Sequence, residues 1–238
     1  MGRILMSFLS HCNPIWSFPR ISRAPLAVEA SFDWRCFQTA DFNAHKMPMP
    51  PPLSHAVAKR KAEFLAGRLC ARLALKLAGT TPTDVGYNDD RSPEWPVGMV
   101  GSVTHTDRVA GAVVGRETDY LGLGVDFEYQ IEAVRAREIA DSILTDADKS
   151  LKMALPDISF EHYLTLVFSL KEGLYKALYP KTKIFMGFHD AEIATLGDGD
   201  ARLRLTKPMS EDFAAGLEFD AVYSYTGDLF KTLVYIRA

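Results

Sequence analysis

The sequence contains little cysteine and no long apolar segment. Three cysteines, Cys12, Cys36 and Cys70, occur among 238 residues, and no two of them have the spacing of a metal knuckle. An odd number without such spacing argues against a disulfide framework and favours a reducing, cytoplasmic environment. The apolar stretch near the N-terminus, residues 4–9, is far shorter than the roughly 20 residues that a membrane span requires. The sequence therefore predicts a cytoplasmic protein without a membrane partner.

The chain also lacks an excess of charge of either sign. Its 27 lysines and arginines nearly balance 30 aspartates and glutamates, which gives a formal net charge of −3. Such a balance favours neither nucleic acid nor an anionic membrane as a partner. A hydrophobic fraction of 47% is that of an ordinary globular protein. Any recognition of an anionic ligand must therefore come from a local group of basic residues.

Hydrophobic periodicity divides the chain into helices and strands that alternate in groups. A helix is predicted from Ser54, as its N-cap, to Ala78. A second, strongly amphipathic helix is predicted over 160–179. Shorter patterns predict a helix over 131–144 and strands over 28–32, 100–106, 109–114, 121–128, 185–194, 201–205, 218–225 and 231–237. This order predicts an α+β fold with two similar halves, residues 1–120 and 121–238.

Two carboxylates follow two glycines on one face of the strand predicted over 121–128. Side chains alternate along a strand, so one face carries only Gly122, Gly124, Asp126 and Glu128. Carboxylates about 7 Å apart along a strand can both turn toward one hard cation. The two glycines leave space for something to approach that face. A half-exposed strand whose outer face is simply acidic explains the same pattern, and the octapeptide alone leaves both interpretations open.

The amphipathic helix over 160–179 carries a third carboxylate beside two lysines. Lys171 falls within the apolar stripe by helical angle, and Glu172 lies on its border, one turn before Lys176. A border carboxylate can reach into a cleft while its helix packs on the core. A plain surface pair of Glu172 and Lys176 is the alternative. The lysine in the apolar stripe favours a functional arrangement, because a buried lysine usually has an anionic partner.

Basic residues that could bind an anion are concentrated in the first half of the chain. Lys59, Arg60, Lys61 and Arg68 crowd the first turns of a helix, where the helix dipole disfavours cations unless an anionic ligand is present. His105, with hydroxyl groups nearby, ends a predicted strand and could donate to a phosphate. A solvated basic face and a structural histidine remain the alternatives for these two features.

Four segments in this order resemble the 4'-phosphopantetheinyl transferase superfamily. The likeness is greatest to its long, monomeric branch, and within that branch to the enterobactin synthetase component D group. The segments are 60–68 (RKAEFLAGR), Trp95-Pro96 with 101–105 (GSVTH), 124–128 (GVDFE) and 168–180 (FSLKEGLYKALYP). They span the chain from about residue 53 to about residue 195. The chain departs from the family at Gly173, where a serine is common, and at Asp148, where a glutamate is common and to which we assign no role.

The resemblance implies a magnesium-dependent transfer of phosphopantetheine from coenzyme A, the co-substrate, to a serine of an apo carrier protein. It implies two halves related by pseudo-twofold symmetry with coenzyme A in the cleft between them. Asp126, Glu128 and Glu172 would hold Mg²⁺. Glu172, or a water held by Asp126 or Glu128, would accept the serine proton, and Lys176 would stabilise the departing 3',5'-ADP.

The remaining expectations concern coenzyme A and the carrier. The resemblance implies phosphate contacts from several residues of both halves, namely Arg60, Arg68, Arg91, Ser102, His105, Lys171 and Lys176. A small acidic carrier, of peptidyl, aryl or acyl type, would dock partly on residues 131–155. Siderophore, other nonribosomal peptide and fatty acid synthesis all use such carriers, and we expect a monomer. The alternatives are a binding module without catalysis and another magnesium-dependent phosphotransfer enzyme.

Overall fold

Two units, each built from a helix packed on an antiparallel sheet, make up the chain. The computed structural model describes residues 8–14, 21 and 23–238, so most of the apolar N-terminal stretch lies outside the described residues. The units are Met1–Arg116 and Glu117–Ala238, and their boundary lies four residues before the predicted one. Both combine helices with sheets, which confirms the predicted α+β class. The pseudo-twofold relation between the halves stays a prediction.

The first unit contains a four-stranded sheet in the order β1-β2-β6-β5, and a separate small hairpin of β3 and β4. Its elements in chain order are β1 (Leu9–Pro14), β2 (Leu26–Phe32), α1 (Ala40–Ala44), α2 (Ala58–Leu77), β3 (Gly86–Tyr87), β4 (Pro93–Glu94), β5 (Met99–His105) and β6 (Val109–Arg116). Helix α2 packs on β2 and β6, because its small and apolar residues recur at helical spacing. The buried set on α2 includes Ala62, Leu65, Ala66, Cys70, Ala71, Ala74 and Leu75.

Helix α2 begins three residues later than the sequence predicted, with its N-cap at Val57 and not at Ser54. Ser54 does not cap it, because the Ser54 hydroxyl donates to the Pro51 carbonyl (2.7 Å) within a 3-10 turn. Val57 occupies the N-cap position instead, without a side-chain hydrogen bond. The end of α2 agrees with the prediction, since Ala78 caps it and Gly79 follows with φ +72°.

The second unit contains a five-stranded antiparallel sheet in the order β7-β11-β10-β9-β8. Its elements are β7 (Tyr120–Tyr129), α3 (Ala133–Ile143), α4 (Asp146–Met153), α5 (Phe160–Thr182), β8 (Ala191–Leu196), β9 (Asp200–Leu205), β10 (Glu218–Thr226) and β11 (Leu229–Arg237). Helix α5 lies across β7 and β11 and supplies much of the core. Its fully buried side chains include Tyr163, Leu164, Val167, Leu170, Leu174 and Ala177. The sheet thus fixes α5 directly over the strand that carries Asp126 and Glu128.

Two boundaries around α5 and β8 differ from the prediction. The helix continues through Pro180 to Thr182 and ends at Lys183, which takes a left-handed φ of 54°. The strand predicted over 185–194 is wrong in its first half, because a 3-10 turn occupies Phe188–Asp190 and β8 begins only at Ala191. No helix in the described part of the chain is long and apolar enough to cross a membrane.

Candidate active site

The contact between β7 and α5 is made by backbone atoms at glycine positions. A Cβ atom at Gly124 would overlap the Gly173 carbonyl oxygen, and one at Gly173 would lie 3.1 Å from the Gly124 oxygen. A Cβ atom at Gly122 would overlap the carbonyl oxygen of Ala177. The glycines therefore leave space for something to approach, as predicted, and the element that approaches is α5. The close approach brings α5 alongside Asp126, two residues further along β7.

Asp126 is held by two side chains from one face of α5. Its carboxylate accepts a hydrogen bond from the Ser169 hydroxyl (2.8 Å) and an ion-paired one from Lys176 Nζ (2.6 Å). Lys176 Nζ also donates to the Val125 carbonyl (3.2 Å). Only 6% of Asp126 is exposed. Ser169, Glu172 and Lys176 follow one another at spacings of three and four residues, so they share a face of the helix.

The three predicted carboxylates lie within one another's electrostatic influence. Burial, followed by the Asp126 charge, raises the pKa of Glu128 to about 7, and Glu172 adds to the effect while Lys176 opposes it. Burial also raises the pKa of Glu172, with Lys176 opposing and Asp126 reinforcing the shift. Burial thus favours the protonated forms of Glu128 and Glu172 in the absence of a further cation. Among the described residues, no group of three His, Cys, Asp or Glu side chains is already arranged to hold a metal ion.

Lys171 does not face this acidic group, which corrects its predicted role as a coenzyme A contact. Its side chain is fully buried, and its ammonium donates to Asp148 Oδ2 (2.6 Å) and to the carbonyls of Ile143 (2.8 Å) and Phe188 (2.8 Å). All three donors of the ammonium are thus used inside the unit. No local pattern indicates this partner of Lys171, because Asp148 lies 23 residues earlier in the chain, where it also forms a capping box with Thr145 at the start of α4.

In the first unit, α2 and the end of β5 bring together Arg60, Glu63 and His105. Arg60 Nη1 donates to His105 Nε2 (2.6 Å) and to Glu63 Oε2 (3.3 Å). Because a guanidinium can only donate, Nε2 is the acceptor and Nδ1 carries the ring proton. That nitrogen lies 3.7 Å from Glu63 Oε2. The structure thus joins two predicted residues, and it adds Glu63, whose position three residues after Arg60 was the available signal.

Arg68, two turns further along α2, is buried with an unused donor. Only 5% of the residue is exposed, and its guanidinium lies over the Phe64 ring, 4.9 Å from the centroid. Nη1 is buried without a hydrogen-bond partner, and no other buried side-chain nitrogen or oxygen of the described residues shares this condition. Burial lowers the pKa of Arg68 to about 10. A buried, unsatisfied cation is costly unless an anion binds there.

The other two predicted phosphate contacts differ in setting. Ser102 is buried within β5, and Arg91 lies in the exposed turn between β3 and β4, with φ +68°. The backbone N–H of Arg91 donates to the Asn88 carbonyl (2.8 Å), which closes that turn. The roles of both residues in ligand binding stay predictions.

Comparison with known families covers most of the chain in two segments. A model described as the 4'-phosphopantetheinyl transferase N-terminal domain matches residues 50–115. A model of the 4'-phosphopantetheinyl transferase superfamily matches residues 122–224. The chain belongs to the 4'-phosphopantetheinyl transferase superfamily. This confirms the family that the four motifs predicted. It also confirms that the family is one of transferases.

Curated relatives in the superfamily carry two kinds of name. Enterobactin synthase component D of Salmonella typhi is 36% identical over 172 residues, which are 71% of this chain and 70% of that protein. The Escherichia coli K12 protein of the same name is 37% identical over 62% of this chain and 68% of its own length. The 4'-phosphopantetheinyl transferase PptT of Mycobacterium tuberculosis is 38% identical over 61% of this chain. The match spans 64% of PptT, slightly less than two thirds of its length.

Proposed function

We propose that this chain transfers the 4'-phosphopantetheine group of coenzyme A to a serine of an apo carrier protein, with Mg²⁺, and releases 3',5'-ADP. The observation that carries the proposal is the ion pair of Asp126 and Lys176 (2.6 Å), with Glu128 and Glu172 near enough to influence the electrostatics of the same place, in a member of this superfamily. The name of the relative PptT, a 4'-phosphopantetheinyl transferase, supports the same transfer. Binding of coenzyme A between the two halves stays a prediction.

The chemistry of the acidic group fits a magnesium ion. Mg²⁺ prefers oxygen ligands and keeps several waters, so three carboxylates together with phosphate oxygens suit it. Burial, reinforced by the neighbouring carboxylates, raises the pKa values of Glu128 and Glu172, and a bound cation would oppose both effects. Asp126, Glu128 and Glu172 would hold the ion. When bound, it would neutralise charge that develops on the pyrophosphate.

The protein's own side chains would then move the proton and orient the groups that react. The carrier serine oxygen forms a bond to the β-phosphorus, and the bond from that phosphorus to the bridging oxygen breaks. Glu172, whose pKa is raised, is the candidate to accept the serine proton. Lys176 lies 2.6 Å from Asp126, beside the acidic group, where its charge would stabilise the departing 3',5'-ADP.

Arg68 supports recognition of an anionic ligand by the first unit. Its buried Nη1 has a hydrogen to donate and no partner, and phosphate oxygens suit a guanidinium well. Arg60 and His105 form a second donor group on the same helix and the adjoining strand. We assign both groups to the phosphates of coenzyme A. Ser102 and Arg91 remain candidates for the same ligand.

The carrier would dock on residues 131–155, which include α3 and α4. Two apolar side chains are exposed there, Val134 by 70% and Met153 by 84%. Arg135 and Lys149 on the same helices pair with Glu138 (3.2 Å) and Asp141 (2.8 Å), so the exposed apolar side chains, and not an excess of positive charge, support docking there. The monomeric state and the cytoplasmic location stay predictions.

One experiment tests the proposal directly. The protein is mixed with an apo carrier domain, coenzyme A and Mg²⁺, and the carrier is weighed by mass spectrometry. We expect the gain of one phosphopantetheine group, lost in Glu172→Gln and retained in Lys207→Met, which alters a surface lysine paired with Asp190 (2.9 Å). Cleavage of coenzyme A beside an unmodified carrier would point to another phosphotransfer enzyme. Binding without any reaction, across several carrier types, would point to a binding module.

A further inference from the structure

The second unit contains an ion pair that is completely enclosed and lies outside the acidic group. Neither Lys171 nor Asp148 exposes any of its side chain, and Lys171 Nζ lies 2.6 Å from Asp148 Oδ2. The other two ammonium donors go to the carbonyl of Ile143, the last residue of α3, and to that of Phe188, in the 3-10 turn before β8. Lys171 therefore connects α5 to three other segments of the unit.

Asp148 satisfies the rest of its hydrogen-bonding capacity in the same place. Its Oδ1 accepts from the backbone N–H of Ile193 in β8 (2.7 Å), and its Oδ2 accepts from the backbone N–H of Thr145 (2.9 Å). Its carbonyl accepts from the Tyr163 hydroxyl on α5 (2.7 Å). With so many directed contacts, the pair fits only one arrangement of α4, α5 and β8.

An enclosed ion pair is a poor way to gain stability alone. Removing two charges from water costs several kcal/mol per ion in general, and well-packed apolar residues often stabilise a protein as much or more. Directed hydrogen bonds offer something apolar residues lack, because they fix the angle at which a helix is held. The position of Lys171 on α5 shows at which rotation about its own axis this helix is held.

Lys171, Glu172 and Gly173 are consecutive residues, so they point outward at steps of about 100° around the helix. Gly173 faces β7, where its backbone contacts Gly124. Lys171 points to nearly the opposite side, into the Asp148 cluster. Helix α5 is thus held from two sides, and the direction in which Glu172 leaves it follows from these two contacts.

We propose that the Asp148–Lys171 pair sets the rotation of α5 about its axis and thereby aims Glu172 at Asp126 and Glu128. This role rests on the proposed function, because it supposes that Glu172 works together with those two carboxylates. Lys171 and Asp148 are positioning residues: they touch neither substrate nor metal and act through the helix that carries Glu172.

The test removes both charges together, so that neither is left alone in the core. The double variant Asp148→Asn/Lys171→Met is compared with the wild type and with Phe219→Leu, a core truncation in β10 that lowers stability without altering the contacts of α5 with β7 or α4. Urea unfolding reports the fold, calorimetry with Mn²⁺ reports metal affinity, and steady-state kinetics give kcat and the KM for coenzyme A.

We expect the double variant to fold, to bind Mn²⁺ about 10- to 100-fold more weakly, and to lose about 100-fold in kcat because a shift of about 1 Å misplaces Glu172. The KM for coenzyme A should stay near the wild-type value, and Phe219→Leu should keep wild-type Mn²⁺ affinity. Wild-type Mn²⁺ affinity and kcat in the double variant would overturn the proposal and leave the pair a purely structural feature.

Two further arms keep the result decisive. If the double variant does not fold, Lys171→Arg retains the charge but changes the reach of the donors, and the same measurements on it decide the question by the same criteria. A crystal structure of the variant shows directly whether the Glu172 carboxylate has moved relative to Asp126. If the wild type modifies no carrier, the proposed function fails, whereas the structure and the Mn²⁺ comparison still decide the positioning role.

Discussion

The contact between Gly124 and Gly173 gives the sharpest prediction about how the acidic group is assembled. In Gly124→Ala, the new methyl group would overlap the Gly173 carbonyl oxygen and lie 2.7 Å from the backbone nitrogen of Ala177. Both are backbone atoms of α5, so no side-chain rotation relieves the overlap. The helix must move away from β7, and Glu172 moves with it.

The expected loss of stability follows from two opposing effects. Overpacking of this kind costs about 1–3 kcal/mol, and we expect the upper end because a long helix has to shift. Replacing a strand glycine by alanine returns about 0.5–1 kcal/mol through the lower entropy of the unfolded chain. The net loss for Gly124→Ala should be about 2 kcal/mol. A displacement of about 1 Å at Glu172 should also lower kcat by about 100-fold.

Gly173→Ala serves as the matched control from the other side of the same contact. Its methyl group would lie 3.1 Å from the Gly124 oxygen and 3.2 Å from Val234 Cγ2, which asks the neighbours to yield only a few tenths of an ångström. A gain of about 1 kcal/mol in helix propensity offsets that strain. Urea unfolding and carrier modification are measured for both variants. Equal stability and full activity in Gly124→Ala would refute the reasoning.

Two other predictions concern charged groups. Arg68→Met should stabilise the unliganded protein, because a buried guanidinium with an unsatisfied donor is replaced by an apolar group, yet weaken coenzyme A binding about 10- to 100-fold through loss of charged hydrogen bonds. Unchanged affinity by calorimetry would remove Arg68 from the ligand site. The pKa of Glu128 is raised from 4.5 to about 7, so the folded metal-free protein holds a proton that the unfolded chain has lost between these values. The contribution of the Glu128 carboxyl to stability is therefore complete below pH 4.5 and disappears as the pH rises through about 7. The melting temperature of the wild type should fall over this range, and that of Glu128→Gln should fall less steeply. An identical slope of melting temperature against pH in both proteins would contradict the assignment.

The sequence allowed the elements that carry the site to be predicted, because their signals are local. The alternation of residues in β7 and the helical spacing in α5 depend only on near neighbours, and both elements lie within a few residues of the predicted bounds. The same holds for β5 and β6, which follow one another in the chain and pair with each other. Local patterns also placed Asp126, Glu172 and Lys176 on the elements where the structure has them.

Where the sequence failed, the deciding contact lies far along the chain or involves the backbone. The glycines of β7 indicated space for something to approach, yet nothing in an octapeptide shows that the approaching element is a helix about 50 residues later. The apolar run from Phe185 resembled a strand, yet Gly187 N donates to Asp190 Oδ2 (2.6 Å) and bends the chain into a 3-10 turn. The local signal for this turn was an Asp three residues after a glycine, and the apolar pattern typical of a strand concealed it.

The two lysines of the K-E-x-x-x-K segment show how one helical motif separates two kinds of work. Lys171 and Lys176 are five residues apart, or about 140° around the helix, so they face different surroundings. Lys171 is enclosed by Asp148 and backbone carbonyls, whereas Lys176 is partly exposed and pairs with Asp126. Glu172 lies about 100° from the first lysine and about 40° from the second. Lys171 can therefore hold the helix in place, whereas Lys176 lies on the same side of α5 as Glu172. The two lysines could exchange surroundings only if the whole helix rotated about its axis.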